Sequence, residues 1–240
     1  MNPSIVIPTY NEKENIRILI PQIIEVFEQN GFSTGGKIVV VDDNSPDGTS
    51  EVVEEFMKRY KNVFLLKRNA KTGLGSAYIA GFKYALELGA DIIFEMDGDC
   101  SHDPKDIVRF LDEFRNGYDI VVGSRYIKGG DVPRWSFNRK LISKGGNFFA
   151  HIVAGIPIHD CTSGYRALRA SVLDGTDLDE LNVTGYAFQI SLLHALLKRN
   201  ARIKEIPIIF GERMSGESKL GNGDVREFFI TSFRLRLRRQ

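Results

Sequence analysis

The alternation of strand and helix patterns along the first half of the chain is the feature that most constrains its fold. Short apolar runs predict strands at SIVI, KIVVVDD, VFLLK, DIIFEMD and DIVVGS. Segments with helical periodicity separate these runs, and their apolar residues fall on one face. Parallel strands require long crossover connections, which helices usually provide. The sequence therefore predicts an α/β fold with a mostly parallel central sheet and helices on both faces.

The length of the chain fits one domain. Its 240 residues can bury the core of a single α/β domain, and no internal repeat, linker or low-complexity tract divides them. We therefore predict one domain over residues 1–223, followed by a separate helix over residues 224–240.

The C-terminal segment DVREFFITSFRLRLRRQ has the pattern of a basic amphipathic helix at a membrane interface. One predicted stripe is apolar and another is basic: Val225, Phe229, Phe233 and Leu237, and Arg226, Arg234 and Arg238. Two alternatives stay open, because the phenylalanines could instead pack on the domain, or transmembrane helices could follow the segment. No run in the chain itself reaches the ~18 apolar residues of a membrane span.

Polar segments follow four of the predicted strands. They are PTYNE, DDNSPDG, DGDCSHD and GSRY. In sheets of this kind, ligands bind beyond the carboxyl ends of the strands. The sequence therefore predicts a binding site at this edge of the sheet, although the pattern alone does not identify the substrate.

Three carboxylates are crowded together after one of these strands, at Asp97, Asp99 and Asp103. Like charges this close repel and raise one another's pKa unless a positive group lies among them. The pattern suits a hard divalent cation, which takes carboxylate oxygens as ligands. The alternative is a simple turn in which Asp103 caps the helix that begins near Pro104.

A basic stretch follows in residues 125–144, which contain six lysines or arginines and a single acid, Asp131. This local charge indicates an anionic partner, although the net charge of the whole chain is only +1.

Nine segments, in the same order along the chain, carry a resemblance to a known family: IVIPTYNEKENI, VVVDDNSPDGT, KTGLGSAYIAGF, MDGDCSHDP, VVGSRYIKGG, RKLISKGGN, DCTSGYRALR, GYAFQI and GERMSGESKLG. Together they resemble the family 2 glycosyltransferases, and specifically the polyprenyl-phosphate (dolichol-phosphate) mannose synthases. The resemblance implies a GT-A fold, an inverting transfer of mannose from GDP-mannose to a polyprenyl phosphate, and Mg²⁺ or Mn²⁺ as cofactor. It implies a membrane surface as partner and no nucleic acid.

The resemblance also assigns roles to individual positions. The donor pocket would be formed by Pro8, Tyr10, Glu12, Val41, Asp43, Asp97, Gly98, Asp99, Arg213 and Lys219. The metal ligands would be Asp97, Asp99 and Ser101, and Ser101 stands where some relatives have glutamine. Arg125 and Arg139 would bind the acceptor phosphate, and Asp99 and Arg125 would be the catalytic residues. Arg213 and Lys219 would lie in a flap that closes over the donor, the alternative being a solvated surface loop.

The sequence predicts a cytoplasmic protein held peripherally at the cytosolic face of a membrane. Cys100 and Cys161 lack metal-ligand spacing and predict reduced thiols, which fits that compartment. No histidine is assigned a catalytic role. Two alternative functions stay open: a polyprenyl-phosphate glucosyltransferase that uses UDP-glucose, and an inactive nucleotide-binding subunit that anchors a partner to the membrane.

Overall fold

The computed structural model describes residues 1–181, 185–212 and 222–237. One sheet of seven strands forms the centre of the molecule, in the spatial order β3-β2-β1-β4-β6-β5-β7. The strands are β1 (Pro3–Thr9), β2 (Lys37–Asp42), β3 (Val63–Lys67), β4 (Ile92–Glu95), β5 (Ile120–Ser124), β6 (Arg166–Arg169) and β7 (Ile203–Pro207). Strand β6 runs antiparallel to its neighbours β4 and β5, and the other pairings are parallel. The predicted mostly parallel α/β sheet is confirmed.

Eight α-helices and one short 3₁₀ helix (Asp179–Leu181) are present among the described residues. The α-helices are α1 (Lys13–Gln29), α2 (Thr49–Arg59), α3 (Leu74–Glu87), α4 (Asp106–Arg115), α5 (Phe137–Val153), α6 (Ala170–Asp174), α7 (Gly185–Lys198) and α8 (Asn222–Leu237). The five strands predicted from apolar runs correspond to β1–β5, whereas β6 and β7 carry no comparable apolar run and were not predicted.

The core lies on both faces of the sheet. Side chains alternate along β1, so Ile5 and Ile7 pack on one face with α1 and α4, whereas Val6 packs on the other with α3. Residues of α7 and α8 extend the second layer. Because both faces are covered, the segments of β1–β5 are mostly apolar, as the sequence pattern indicated.

Gly81 allows α3 to approach the sheet closely. A Cβ atom at this position would lie 2.3 Å from Val6 Cγ1 and 2.9 Å from Val41 Cγ2, which is too close for either contact. The glycine of the segment IAGF is therefore explained by packing between a helix and the strands beneath it.

We expect Gly81→Ala to lower the free energy of unfolding by about 1–3 kcal/mol, because the added methyl group overpacks the interface between helix and sheet. Urea denaturation would measure the change. Gly145→Ala is the matched control, since Gly145 also lies inside a helix but has no atom within 4 Å of an added Cβ. That control should be neutral or stabilising by up to about 1 kcal/mol. Equal unfolding midpoints for the two variants would contradict the packing explanation.

Helix α8 is partly buried and partly exposed. Phe228 and Leu235 are buried against the domain. The side chains of the predicted apolar stripe are much more exposed than these two, and Phe233 and Leu237 are 56% and 75% exposed. The helix therefore uses one side for packing and leaves the other side uncovered. Among the described residues, no helix combines the length and the apolar character that crossing a membrane requires.

Candidate active site

The loops that follow the parallel strands meet at one edge of the sheet. Strand β1 lies between β2 and β4, so the residues after these three strands are neighbours. Each of the three loops contains a residue with a left-handed backbone: Asn11 at φ 57°, Asn44 at φ 58° and Cys100 at φ 64°. Asparagine tolerates this conformation, but cysteine adopts it rarely. Backbone strain of this kind concentrates at functional sites, which supports a site at this edge.

Two adjacent aspartates at the end of β2 have different environments. Asp42 accepts hydrogen bonds from the hydroxyl groups of Thr9 and Ser50 at 2.9 and 2.7 Å, and thereby fixes the loop. Asp43, which the sequence analysis places in the donor pocket, is 5% exposed and lies 3.1 Å from the Arg68 guanidinium. Burial raises the pKa of Asp43, against the opposing effect of Arg68. The sequence did not separate the structural role of Asp42 from that of Asp43.

The other residues assigned to the nucleotide lie at the same edge. Pro8 and Val41 pair across β1 and β2. Glu12 is buried at the start of α1, where it accepts a hydrogen bond of 2.6 Å from the Asn15 amide. The ring of Tyr10 lies 4.6 Å beneath the ammonium group of Lys71. Carboxylates and an aromatic face at one edge of the sheet suit a nucleobase that carries N–H donors.

Asp97 and Asp99 follow β4 and differ in exposure. The Asp97 side chain is 34% exposed, whereas Asp99 is 4% exposed. Asp99 Oδ1 accepts hydrogen bonds from the Ser101 hydroxyl at 2.6 Å and the Ser101 N–H at 3.0 Å. Ser101 therefore orients Asp99. Gly98 lies between the two aspartates, and a Cβ there would lie 3.3 Å from the carbonyl oxygen of Pro8.

The donor set fits a divalent cation only if the substrate supplies further ligands. Among the described residues, no group of three or more His, Cys, Asp or Glu side chains is arranged to hold a metal ion. Two carboxylates together with substrate oxygens suit Mg²⁺ or Mn²⁺, because such ions usually combine one or two carboxylates with phosphate oxygens and water. Asp103 has a different contact, since its Oδ1 accepts the Lys105 N–H at 2.9 Å and so stabilises the turn before α4.

His102 is buried beneath this loop and holds it in place. Its Nδ1 accepts the backbone N–H of Asp97 at 3.1 Å. Its ring stacks on Tyr165 with centroids 4.7 Å apart and forms a T-shaped contact with Phe210 with centroids 5.5 Å apart. Burial lowers the pKa of His102, so the ring is neutral near pH 7. The sequence analysis assigned it no catalytic role, and these contacts make it a support for the Asp97 backbone.

A second buried group lies behind Asp97. Glu95, the last residue of β4, pairs in register with Arg166 of β6, and both side chains are fully buried. Burial raises the pKa of Glu95 to about 7, although the Arg166 charge opposes this effect. Arg166 donates hydrogen bonds to the carbonyl oxygens of Gln189 and Cys161. This pair was not predicted from the sequence, because Glu95 and Arg166 are far apart along the chain.

Arg125 occupies a closely packed position at the end of β5. Its Nε and Nη2 each lie 2.7 Å from an oxygen of the fully buried Asp160, and Arg125 itself is 6% exposed. Its Nη2 also donates to the Thr162 hydroxyl at 3.0 Å. Asp160 therefore fixes the orientation of the guanidinium. Asp160 was not predicted from the sequence, because it lies 35 residues from Arg125 and gives no local signal.

Arg139 lies in the first turn of α5 and is exposed. Its guanidinium carbon is 4.0 Å from the centroid of the Trp135 ring, and that of Arg125 is 5.3 Å from the same centroid. The structure thus brings the two candidate acceptor residues to one aromatic side chain.

Arg213 and Lys219, the two residues assigned to the flap, lie outside the described residues. The chain leading to them is described as far as Glu212. The N–H of Gly211 donates to the carbonyl oxygen of Ser101 at 2.9 Å. The start of this segment is therefore attached to the Asp99 loop.

The family model for glycosyl transferase family 2 matches residues 4–176. The chain belongs to this family. Among its relatives, polyprenol monophosphomannose synthase of Mycolicibacterium smegmatis is 39% identical over 224 residues, which cover 93% of this chain and 82% of the relative. Undecaprenyl-phosphate mannosyltransferase of Micrococcus luteus is 40% identical over 225 residues, which cover 94% and 90% respectively.

A solved structure supports the same fold. The mannosyltransferase PcManGT of Pyrobaculum calidifontis, in complex with GDP-Man and Mn²⁺, matches with a TM-score of 0.64 at 17% identity. The match covers 99% of this family 2 chain and 64% of the solved chain. The predicted GT-A fold is therefore confirmed.

Proposed function

We propose that this family 2 enzyme transfers mannose from GDP-mannose to a polyprenyl phosphate, with inversion at the anomeric carbon. The observation that carries the proposal is the identity of about 40% with two relatives over more than nine-tenths of this chain. Both relatives are named for the mannosylation of a polyprenyl phosphate, and family 2 enzymes invert. The product would be a polyprenyl phosphate β-mannose.

On the donor side, Glu12 and Asp43 would accept hydrogen bonds from guanine or ribose, next to Pro8, Tyr10 and Val41. Asp97 and Asp99 would hold Mg²⁺ or Mn²⁺, with Asp99 kept in place by Ser101. A cation bound there supplies Lewis-acid stabilisation of the leaving diphosphate. We further propose that Arg213 and Lys219 contact the diphosphate, because their segment begins at Gly211 beside the Asp99 loop.

On the acceptor side, Arg125 and Arg139 would bind the lipid phosphate and orient it for attack. A phosphate monoester is mostly a dianion at neutral pH and needs no general base, unlike an alcohol, which must lose a proton as it attacks. His102 is unsuited to accept that proton, because its Nδ1 already accepts the Asp97 N–H and its ring is buried. The arrangement therefore favours a phosphate acceptor.

A comparison of nucleotides tests the donor. GDP with Mn²⁺ should raise the melting temperature of the protein more than UDP with Mn²⁺ at equal concentration, because a ligand that binds only the folded state stabilises it. A larger shift with UDP would favour the glucosyltransferase alternative. A shift with GDP but no transfer of labelled mannose to polyprenyl phosphate would favour the inactive nucleotide-binding subunit.

We also propose that α5 and α8 together lie on a membrane surface at the cytosolic face. The two helices pack on each other through Phe149, whose ring centroid is 4.8 Å from Phe229 and 5.5 Å from Phe233. Their outer faces expose large apolar side chains: Phe137, Leu141, Ile142, Phe148, Ile152, Val225, Phe229, Ile230, Phe233 and Leu237. Both helices also expose basic residues, whose charge attracts anionic lipids: Arg139, Lys144, Arg226, Arg234 and Arg236.

Replacing Phe137 and Ile142 with serine should weaken binding to anionic liposomes about tenfold or more, because the two side chains are 78% and 75% exposed and would insert into the headgroup region. GDP binding should not change. The matched control replaces the exposed Gln22 and Gln29 of α1 with serine, which also keeps the charge constant. Liposome sedimentation would measure the effect, and equal binding of the two double variants would contradict the proposed surface.

Deleting residues 228–240 is a poorer test, because Phe228 is part of the core.

A further inference from the structure

Trp135 is the side chain that the two proposed acceptor arginines share. The Arg139 guanidinium lies over its ring at 4.0 Å from the centroid, and the Arg125 guanidinium lies at 5.3 Å. Trp135 is half-buried in the loop between β5 and α5. The sequence analysis assigned it no part in the reaction.

The position of Trp135 is fixed by Phe210 and by backbone hydrogen bonds of its own loop. Its ring and that of Phe210 form a T-shaped contact, with centroids 5.7 Å apart and planes at 73°. The Phe210 N–H donates to the carbonyl oxygen of Asp131 at 2.9 Å, and the Asp131 N–H donates to the carbonyl oxygen of Ile208 at 3.1 Å. These hydrogen bonds attach the loop that carries Trp135 to the chain that follows β7. The indole therefore has a defined place before any ligand arrives.

Arg125 and Arg139 differ in their contacts other than the one with Trp135. Arg125 is buried and makes a two-point ion pair with Asp160. Arg139 is exposed, and no ion pair of its guanidinium occurs within the described part of the chain. A long exposed side chain loses rotamer freedom when it is ordered, so binding through Arg139 is weaker unless something orders it beforehand. The face of an indole attracts a guanidinium and restricts it to a parallel stack.

We propose that Trp135 is a positioning residue for the acceptor phosphate. It holds the Arg139 guanidinium over its ring, near the fixed guanidinium of Arg125, so that both donate to one phosphate monoester. This inference rests on the proposed function for the identity of the acceptor. The role belongs to the π face of the indole, and apolar bulk alone does not supply it.

Two substitutions separate the π face from bulk. Trp135→Leu keeps apolar volume and should raise the KM for a short-chain polyprenyl phosphate about tenfold, since stacking of this kind contributes about 1–2 kcal/mol. The kcat, the KM for GDP-mannose and the melting temperature should stay close to those of the wild type. Trp135→Phe retains an aromatic face and should recover most of the acceptor affinity. An unchanged acceptor KM in Trp135→Leu, or equal losses in both variants, would overturn the inference.

Fluorescence gives a readout that does not depend on turnover, because Trp135 is the one tryptophan of the chain. A short-chain polyprenyl phosphate should change the emission saturably, whereas the corresponding alcohol should not. Arg139→Met should alter the emission of the ligand-free protein and weaken the response to the phosphate. No response of the wild type to the phosphate would also overturn the inference. If the wild type binds the phosphate in this titration yet transfers no mannose, the proposed function fails and the role of Trp135 is retained.

Discussion

Asp99→Asn is expected to lower the rate of mannosyl transfer by at least about 100-fold, because losing several kcal/mol of charge stabilisation at the leaving diphosphate has that effect. The substitution removes the charge but keeps the size of the side chain. The amide oxygen can still accept the hydrogen bonds from the Ser101 hydroxyl and N–H, so the loop should keep its shape. Transfer of radiolabelled mannose at saturating Mn²⁺ would measure the rate.

Asp103→Asn is the matched control for this prediction. Asp103 is an exposed carboxylate four residues away, and its side chain accepts the Lys105 N–H in the turn before α4. It should retain nearly normal transfer. Urea denaturation should give similar unfolding midpoints for both variants. Near-normal turnover of Asp99→Asn with metal present would contradict the assignment of Asp99.

Removing the acceptor arginines should give the second large effect. Arg139→Ala should reduce transfer about ten- to a hundred-fold at low acceptor concentration, because one charge-assisted contact with the phosphate contributes about 1.5–3 kcal/mol. Since Arg139 is exposed, folding should not change. Initial rates at several concentrations of polyprenyl phosphate would measure the loss.

Arg125 needs a more careful test, which the sequence alone did not indicate. Arg125→Ala would leave the buried Asp160 without its partner, at a cost of about 3–5 kcal/mol in folding free energy. The double variant Arg125→Met with Asp160→Asn removes both charges and avoids that cost. We expect it to fold, to bind GDP normally and to lose at least about 100-fold in transfer, since a buried, oriented cation is lost from the acceptor site. Normal acceptor kinetics in the folded double variant would show that Arg125 does not bind the phosphate.

The sequence predicted the parts of the fold that leave a local pattern. Strands β1–β5 are short apolar runs between helices, and their polar ends indicated the edge at which a ligand binds. Strand β6 was not predicted, because its four residues RALR include the charged Arg166, which is buried only through contacts made elsewhere in the chain. An antiparallel strand inserted between β4 and β5 also has no signature in the order of the elements.

The candidate site shows the same limit. Acids and arginines at strand ends were identified by position, but their supports were not: Asp160 lies 35 residues from Arg125, and Phe210 is close to both His102 and Trp135 only in the folded chain. The sequence could not show that Ser101 orients Asp99, because a serine two residues away is equally compatible with a metal ligand. Long-range contacts decide such roles, and periodicity does not report them.

The structure of the product tests the central claim most directly. The protein would be incubated with GDP-mannose and Mn²⁺, and with either a polyprenyl phosphate or the corresponding free polyprenol, and the purified product would be examined by NMR. We predict that only the phosphate is mannosylated and that the product is the β-anomer, because a phosphate dianion held by Arg125 and Arg139 attacks the α-linked donor from the face opposite the diphosphate. An α-linked product, or efficient mannosylation of the free alcohol, would contradict this account.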